Sequence, residues 1–316
     1  MATTQLSLVK VDVADGIATL TINRPDVLNN INFVVIHQLH QALLQAIADP
    51  AVQGIVLAGA GKVFVVGADI DFLIRNIEGD DIPRIIKYSE AGHALMNAID
   101  DSPKPVVARV GGMALGGGLE LALACDRIVA AQGTTFGFPE TGLGIYPGFG
   151  GTQRSSRRVG VGLAKWLIFT AKSLAASEAL KIGLIDQVVA ADQLDDAVGR
   201  AAREPITAKQ PVALSPEYAA LAQFFASHRA ADLRAGIVDT HGDAALARAM
   251  KLVANKGPIA LAFAESIIER GSQRPLAEGL RMEIEHVTEL FQTADALLGL
   301  QFRAKRQLGQ PVFAGR

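Results

Sequence analysis

The sequence predicts an α/β fold, with repeated strand–helix units over its first 200 residues and a helical region beyond. Three observations carry this. Short runs with alternating apolar residues are bounded by turn residues, stretches with a helical apolar period separate them, and past residue 200 the helical period dominates. The 316 residues are 50% hydrophobic and 20% charged, which excludes general disorder and allows one large or two smaller packed units. Residues 1–200 are therefore expected to form the core unit. Residues 201–316 are expected to form a helical unit.

The elements follow in order. Leu6, Leu8, Val9, Val11 and Val13 form a strand over 6–13, and Ile17, Thr19, Leu20 and Ile22 form a second. Asp15-Gly16 between them signals a tight hairpin, because its turn requires positive φ. Asn23-Arg24-Pro25-Asp26 ends the second strand. Val34, Ile36, Leu39, Leu43, Leu44 and Ile47 recur at helical spacing over 33–47, and Asp49-Pro50 stops that helix. A buried strand follows over 54–58, then a helix over 82–99 and a strand over 105–110. A helix over 119–124 and a strand over 127–130 complete the pattern. Gln210-Pro211 and Ser215-Pro216 mark turns in the helical region.

Composition narrows the function classes. Thirty Lys and Arg against 32 Asp and Glu give a net charge of -2, unlike a duplex-DNA binder. Cys125 is the only cysteine, so neither an intrachain disulfide nor a zinc site built on several thiolates is available. Met1-Ala-Thr-Thr-Gln-Leu has no basic segment leading into an apolar run, and no apolar run is long enough to span a bilayer. A cytoplasmic location is expected. His37/His40 and Glu283/His286 have helical spacing but read as surface residues rather than metal ligands. Trp166 and Cys125 read as core, and Arg154, Arg157 and Arg158 as a solvated face or subunit contact.

Three stretches could carry chemistry. In Gly111-Gly112-Met113-Ala114-Leu115-Gly116-Gly117-Gly118-Leu119-Glu120, glycines precede an apolar helix. Such a loop suits close backbone approach to a ligand at a helix N-terminus. A tight turn with Glu120 complementing the helix dipole explains it equally well. Glu140, in Phe138-Pro139-Glu140-Thr141-Gly142-Leu143-Gly144, is again a lone carboxylate among apolar residues. The two glutamates could form an acid/base pair, with burial raising the proton affinity of one. They could equally be unrelated loop residues, one paired with Arg154. The third stretch, Gly61-Lys62-Val63-Phe64-Val65-Val66-Gly67-Ala68-Asp69, follows a buried strand, where α/β folds place their sites. It lacks the glycine and hydroxyl positions of a phosphate-binding P-loop.

Together these stretches resemble the enoyl-CoA hydratase/isomerase (crotonase) superfamily over about residues 10–190. Gly112-x-Ala114-x-Gly116-Gly117-Gly118-x-Glu120, Pro139-Glu140-x-x-Leu143-Gly144 and Pro147-Gly148-x-Gly150-Gly151 form the motif set. Asn23-Arg24-Pro25-Asp26-Val27-Leu28-Asn29 supports it. The hydratase portion of bifunctional fatty-acid oxidation enzymes is the nearest likeness. No Gly-x-Gly-x-x-Gly follows a strand, so no NAD-dependent domain is expected.

The resemblance implies a crotonase-type spiral of repeated ββα units with a helical C-terminal region. It implies reversible hydration of a trans-2-enoyl-CoA to a 3-hydroxyacyl-CoA, with CoA as part of the substrate and no cofactor or metal. The oxyanion hole would be the N–H groups of Ala68 and Gly117. Glu120 would activate water and Glu140 would transfer the proton at Cα, with Gly148 near the reacting water. CoA would lie along Lys62, Val65, Val66 and Ala68, with Phe302 and Lys305 from the tail. A homotrimer or dimer of trimers is implied, with residues 201–316 serving oligomerisation and pocket cover. Val65-Val66 replaces a commoner Ala-Ala pair, Leu298 stands where glutamate is usual, and a stretch around 202–245, with Phe224, Phe225 and His228, is extra. A Δ3,Δ2-isomerase, a thioester hydrolase and a non-catalytic scaffold subunit are the alternatives. Retention of both glutamates favours hydration.

Overall fold

The computed structural model describes residues 7–208 and 211–316. Leu6 and Gln210, and the N-terminal residues on which the location was argued, lie outside the described residues. Ten strands form two sheets. The first holds β1 (Val9–Ala14), β2 (Ile17–Ile22), β3 (Gly54–Gly59), β5 (Val106–Val110), β7 (Arg127–Ala131) and β10 (Gln187–Val189), in that spatial order. The second holds β4 (Val65–Val66), β6 (Met113–Leu115), β8 (Thr135–Gly137) and β9 (Leu174–Ala175). All neighbours run parallel except β1 with β2 and β8 with β9.

The chain builds both sheets in one spiral. It lays down β3 and then β4, β5 and then β6, β7 and then β8. Helices Ile70–Glu78 and Gly117–Leu123 follow β4 and β6. The hairpin joining β1 and β2 turns at Asp15 and Gly16 with φ of 50° and 76°, as Asp-Gly predicts. The predicted helix over 33–47 is Phe33–Ala48, started by the Asn32 side chain accepting from the Val35 N–H and ended at Asp49. The one over 82–99 is Ile82–Asp100.

Strands β3, β5 and β7 are covered on both faces, which explains their unbroken apolar runs. Ile55, Leu57, Val106, Ala108 and Ile128 join the main core, while Val56, Val107 and Val129 pack under helix Leu194–Ala201 on the opposite face. β1 forms where the alternating run predicts a strand. It is the sheet edge, and Val11 and Val13 are about half exposed, at 51% and 50%.

From residue 202 onward every described regular element is a helix. The extra segment packs tightly. Helix Pro216–Ser227 crosses helix Val161–Thr170 so closely that a methyl on Gly162 would fall 1.9 Å from the Ala222 carbonyl oxygen. Phe225 is fully buried and sits with its ring 6.5 Å from that of Phe169; Trp166 lies 6.0 Å from Tyr218. One hydrophobic core runs from the strands into these helices. No described helix is long and apolar enough to cross a membrane.

Candidate active site

Successive turns of the spiral deliver their residues to one place. Val66 of β4 pairs with Leu115 of β6, which pairs with Gly137 of β8. Two residues beyond each lie Ala68, Gly117 and Pro139, side by side at the C-terminal edge of the second sheet. Glu140 follows Pro139, and Glu120 stands one turn into the helix that Gly117 begins. They line a cavity of about 560 Å³. Leu73, Tyr88, Val287, Phe291 and Leu300 give it apolar walls, and the exposed Val27, Leu28, Asp71 and Arg303 mark its open end.

The Ala68 and Gly117 N–H groups are adjacent. A methyl built on Gly117 would sit 3.6 Å from the Ala68 nitrogen. Among the described residues, no hydrogen bond uses either N–H. Both line the cavity, so together they form a vacant pair of donors. The helix starts at Gly117, two residues earlier than its apolar pattern indicates, which puts Gly117 at its positive end. Gly118 lets the helix dock on β4, since a methyl there would fall 2.1 Å from the Val65 carbonyl oxygen.

Asn29 holds the first donor in place. Its fully buried side chain donates to the carbonyls of Ala60, Val63 and Phe64 and accepts from the Arg24 N–H. The Val66 N–H donates to Leu28 O, and the Ile31 N–H to Gly67 O. The Asn-Arg-Pro…Leu-Asn motif therefore fixes the 60–68 segment through Asn29 and Leu28, and its Val27 and Leu28 reach the open end of the cavity.

The two glutamates sit in different surroundings. One oxygen of Glu120 accepts from the Phe149 N–H at 2.7 Å and the Gly151 N–H at 2.8 Å. Burial, then the nearby Glu140 and Glu283 charges, raise its proton affinity well above the ordinary carboxyl value; the two N–H groups oppose this. Glu140 has one buried oxygen, Oε2, with no partner. Burial foremost, with the Glu283 charge, pushes its pKa up from 4.5 to about 8. Burial thus pushes both carboxyls toward the protonated form, and they differ in partners: two N–H groups stabilise the charged form of Glu120, whereas Glu140 Oε2 has no donor.

That shift has a consequence for stability. The folded protein holds the Glu140 proton up to about pH 8, whereas the unfolded chain releases it near 4.5. Wild-type stability therefore falls as pH rises through that window. Glu140→Gln, which cannot ionise, is expected to melt above wild type at pH 8, with the gap closing toward pH 5. Melting curves across this range check it; a gap independent of pH would refute it.

Of the predicted site residues, the cavity gathers Glu120, Glu140, Ala68, Gly117, Gly148 and Val66. Val65, Lys62, Phe302 and Lys305 do not line it. Val65 alternates with Val66 along β4 and points into the core, while Lys62 is solvent-exposed. On helix Ala294–Ala304 the cavity-facing stripe is Leu300, Arg303 and Ala304, which leaves Phe302 and Lys305 off it.

Two surface expectations are corrected. Arg154 is buried and pairs through Nη2 with Asn97 and Asp100, because its helix is sandwiched rather than solvated, and it pairs with neither Glu120 nor Glu140. Glu283 is fully buried beside the site. Its sequence surroundings, Arg281-Met282-Glu283-Ile284-Glu285-His286, look like any amphipathic helix, so only tertiary packing reveals it.

The chain belongs to the enoyl-CoA hydratase/isomerase family, whose model matches residues 12–217. It is 41% identical over 213 residues to a short-chain-enoyl-CoA hydratase of Clostridium acetobutylicum, covering 66% of this chain and 79% of that one. It is 43% identical over 181 residues to a crotonyl-CoA hydratase of Syntrophomonas wolfei, covering 57% and 68%. The fold matches the crystal structure of an enoyl-CoA hydratase from Rhodobacter sphaeroides with a TM-score of 0.83 at 22% identity, over 98% of this chain and 93% of that one.

Proposed function

We propose that the protein catalyses reversible hydration of short trans-2-enoyl-CoA thioesters to 3-hydroxyacyl-CoA. The observation that carries this is one cavity holding two buried carboxyls, one tied by two N–H groups and one with a free oxygen, beside the Ala68 and Gly117 N–H donors. The relatives named as short-chain-enoyl-CoA and crotonyl-CoA hydratases support the substrate class.

In this reading, Ala68 and Gly117 donate to the thioester oxygen as it gains enolate charge. One such donor typically contributes about 10²–10³ in rate. Ionised Glu120 takes a proton from water as the water oxygen bonds to Cβ. Protonated Glu140 gives its proton to Cα. Product formation leaves Glu120 protonated and Glu140 ionised, and proton transfer between the coupled carboxyls restores the pair. Gly148, whose N–H is unused among the described residues, lines the same cavity and offers a further donor for the water. The CoA portion extends through the open end beside the 62–68 segment.

Crotonyl-CoA is the test substrate. The conjugated thioester absorbance should fall, with 3-hydroxybutyryl-CoA appearing by mass. Release of free CoA thiol without the hydrated product would replace this reading with thioester hydrolysis. A 3-enoyl-CoA substrate converted to the 2-enoyl isomer, with crotonyl-CoA left unhydrated, would replace it with isomerisation.

A further inference from the structure

The turn that grips Glu120 is itself gripped from behind. Four consecutive backbone N–H groups, of residues 149–152, alternate between two carboxylates. Phe149 and Gly151 donate to Glu120. Gly150 donates to Glu283 Oε2 at 2.7 Å, and Thr152 to Glu283 Oε1 at 3.1 Å and also through its hydroxyl. Glu283 comes from helix Leu276–Glu285 of the C-terminal region, 0% exposed.

His93, on helix Ile82–Asp100, completes the grip. Its Nε2 lies 3.2 Å from Glu283 Oε2 and 2.9 Å from the Gly148 carbonyl oxygen. Both neighbours are acceptors, so Nε2 carries the proton and donates to them. Tyr146 adds a hydroxyl donated to the Glu283 backbone carbonyl. The segment 146–152 is thus tied at successive residues to Glu120 on one side and to Glu283 and His93 on the other.

We propose that Glu283, backed by His93, is a positioning residue for the hydration: it sets the 149–152 turn in the register that aims two N–H groups at Glu120. A carboxylate suits this task. It accepts from the Gly150 and Thr152 N–H groups, the Thr152 hydroxyl and His93 at once, and a neutral side chain of the same shape cannot. The carboxylate also places a fixed negative charge behind the catalytic pair. The other charged or titratable groups around Glu283 are His93, Tyr146, Glu120, Glu140 and Arg154; the Arg154 Nη1 would lie 2.2 Å from a methyl on Gly150.

The inference rests on the hydratase reading, so wild-type turnover of crotonyl-CoA is measured first. Its absence would overturn that reading and this one with it. Given turnover, Glu283→Gln should lower kcat by about 10–100-fold with little change in KM, since the misplaced group is catalytic rather than substrate-binding. Removing the negative charge eases deprotonation of both Glu120 and Glu140. The kcat/KM pH profile should therefore move to lower pH by about half a unit or more. A residue that merely stabilises the fold would lower the melting temperature and leave the profile of the folded enzyme in place; that result overturns the proposal. His93→Gln keeps an N–H donor and should retain near-wild-type kcat, whereas His93→Leu should lose activity as Glu283→Gln does. Should Glu283→Gln fail to fold, the histidine pair decides, and equal losses in both variants would refute the inference.

Discussion

Replacing Glu120 with Gln is expected to lower kcat for crotonyl-CoA hydration by about 10²–10⁴, the usual contribution of a general base. The fold should survive. Gln is isosteric, and its amide oxygen still accepts from the Phe149 and Gly151 N–H groups that now bond to one oxygen of Glu120. What the variant loses is the charge that takes a proton from water. KM should stay close to wild type, because the apolar walls and the Ala68 and Gly117 donors are untouched. Steady-state kinetics beside a melting curve checks this. A wild-type kcat in the folded variant would remove Glu120 from the mechanism and leave Glu140 to carry the chemistry alone.

Gly116→Ala is expected to damage the site in two ways at once. Gly116 has φ 54° and ψ −126°, a backbone conformation that side chains other than hydrogen strain by about 1–3 kcal/mol. The added methyl would also fall 2.5 Å from Glu140 Oε1. It therefore strains the entry to the helix bearing Gly117 and Glu120 and displaces the Glu140 carboxyl, the proton donor of the proposed mechanism. A loss in kcat/KM of about 10² or more is expected, together with a lower melting temperature. Gly111→Ala is the control. It has open space around it and needs no positive φ, so its activity should stay within about twofold of wild type. Similar losses in both variants would show that the glycine loop tolerates no methyl anywhere, and would remove the specific account given for Gly116.

The longer strands and helices were legible in the sequence because each announces itself locally, whereas β4, β6, β8 and β9, of two or three residues each, are too short to carry a period. Asp-Gly marks a hairpin, Asp49-Pro50 ends a helix, and strands buried on both faces read as unbroken apolar runs. Glu120 and Glu140 stood out for the same reason, as lone carboxylates where solvation is absent. One local reading failed at a boundary: the Gly117 helix begins earlier than its apolar period, because glycines carry no periodic signal. β1 forms where its alternation indicates, at the sheet edge.

The sequence by itself determined the α/β class with its repeated strand–helix units, the glycine loop before a helix and the two acidic candidates, since these depend on neighbours within a few residues; the spiral followed only from the family resemblance. Only the tertiary structure decided that Ala68, Gly117 and Pro139 follow paired positions of neighbouring strands, and that both glutamates are buried, Glu120 tied by two N–H groups and Glu140 Oε2 without a partner. It also decided that Glu283, far along the chain, is buried behind them. Register across parallel strands, desolvation and long-range hydrogen bonding are set by what packs from elsewhere in the chain, and no local window of sequence contains that information.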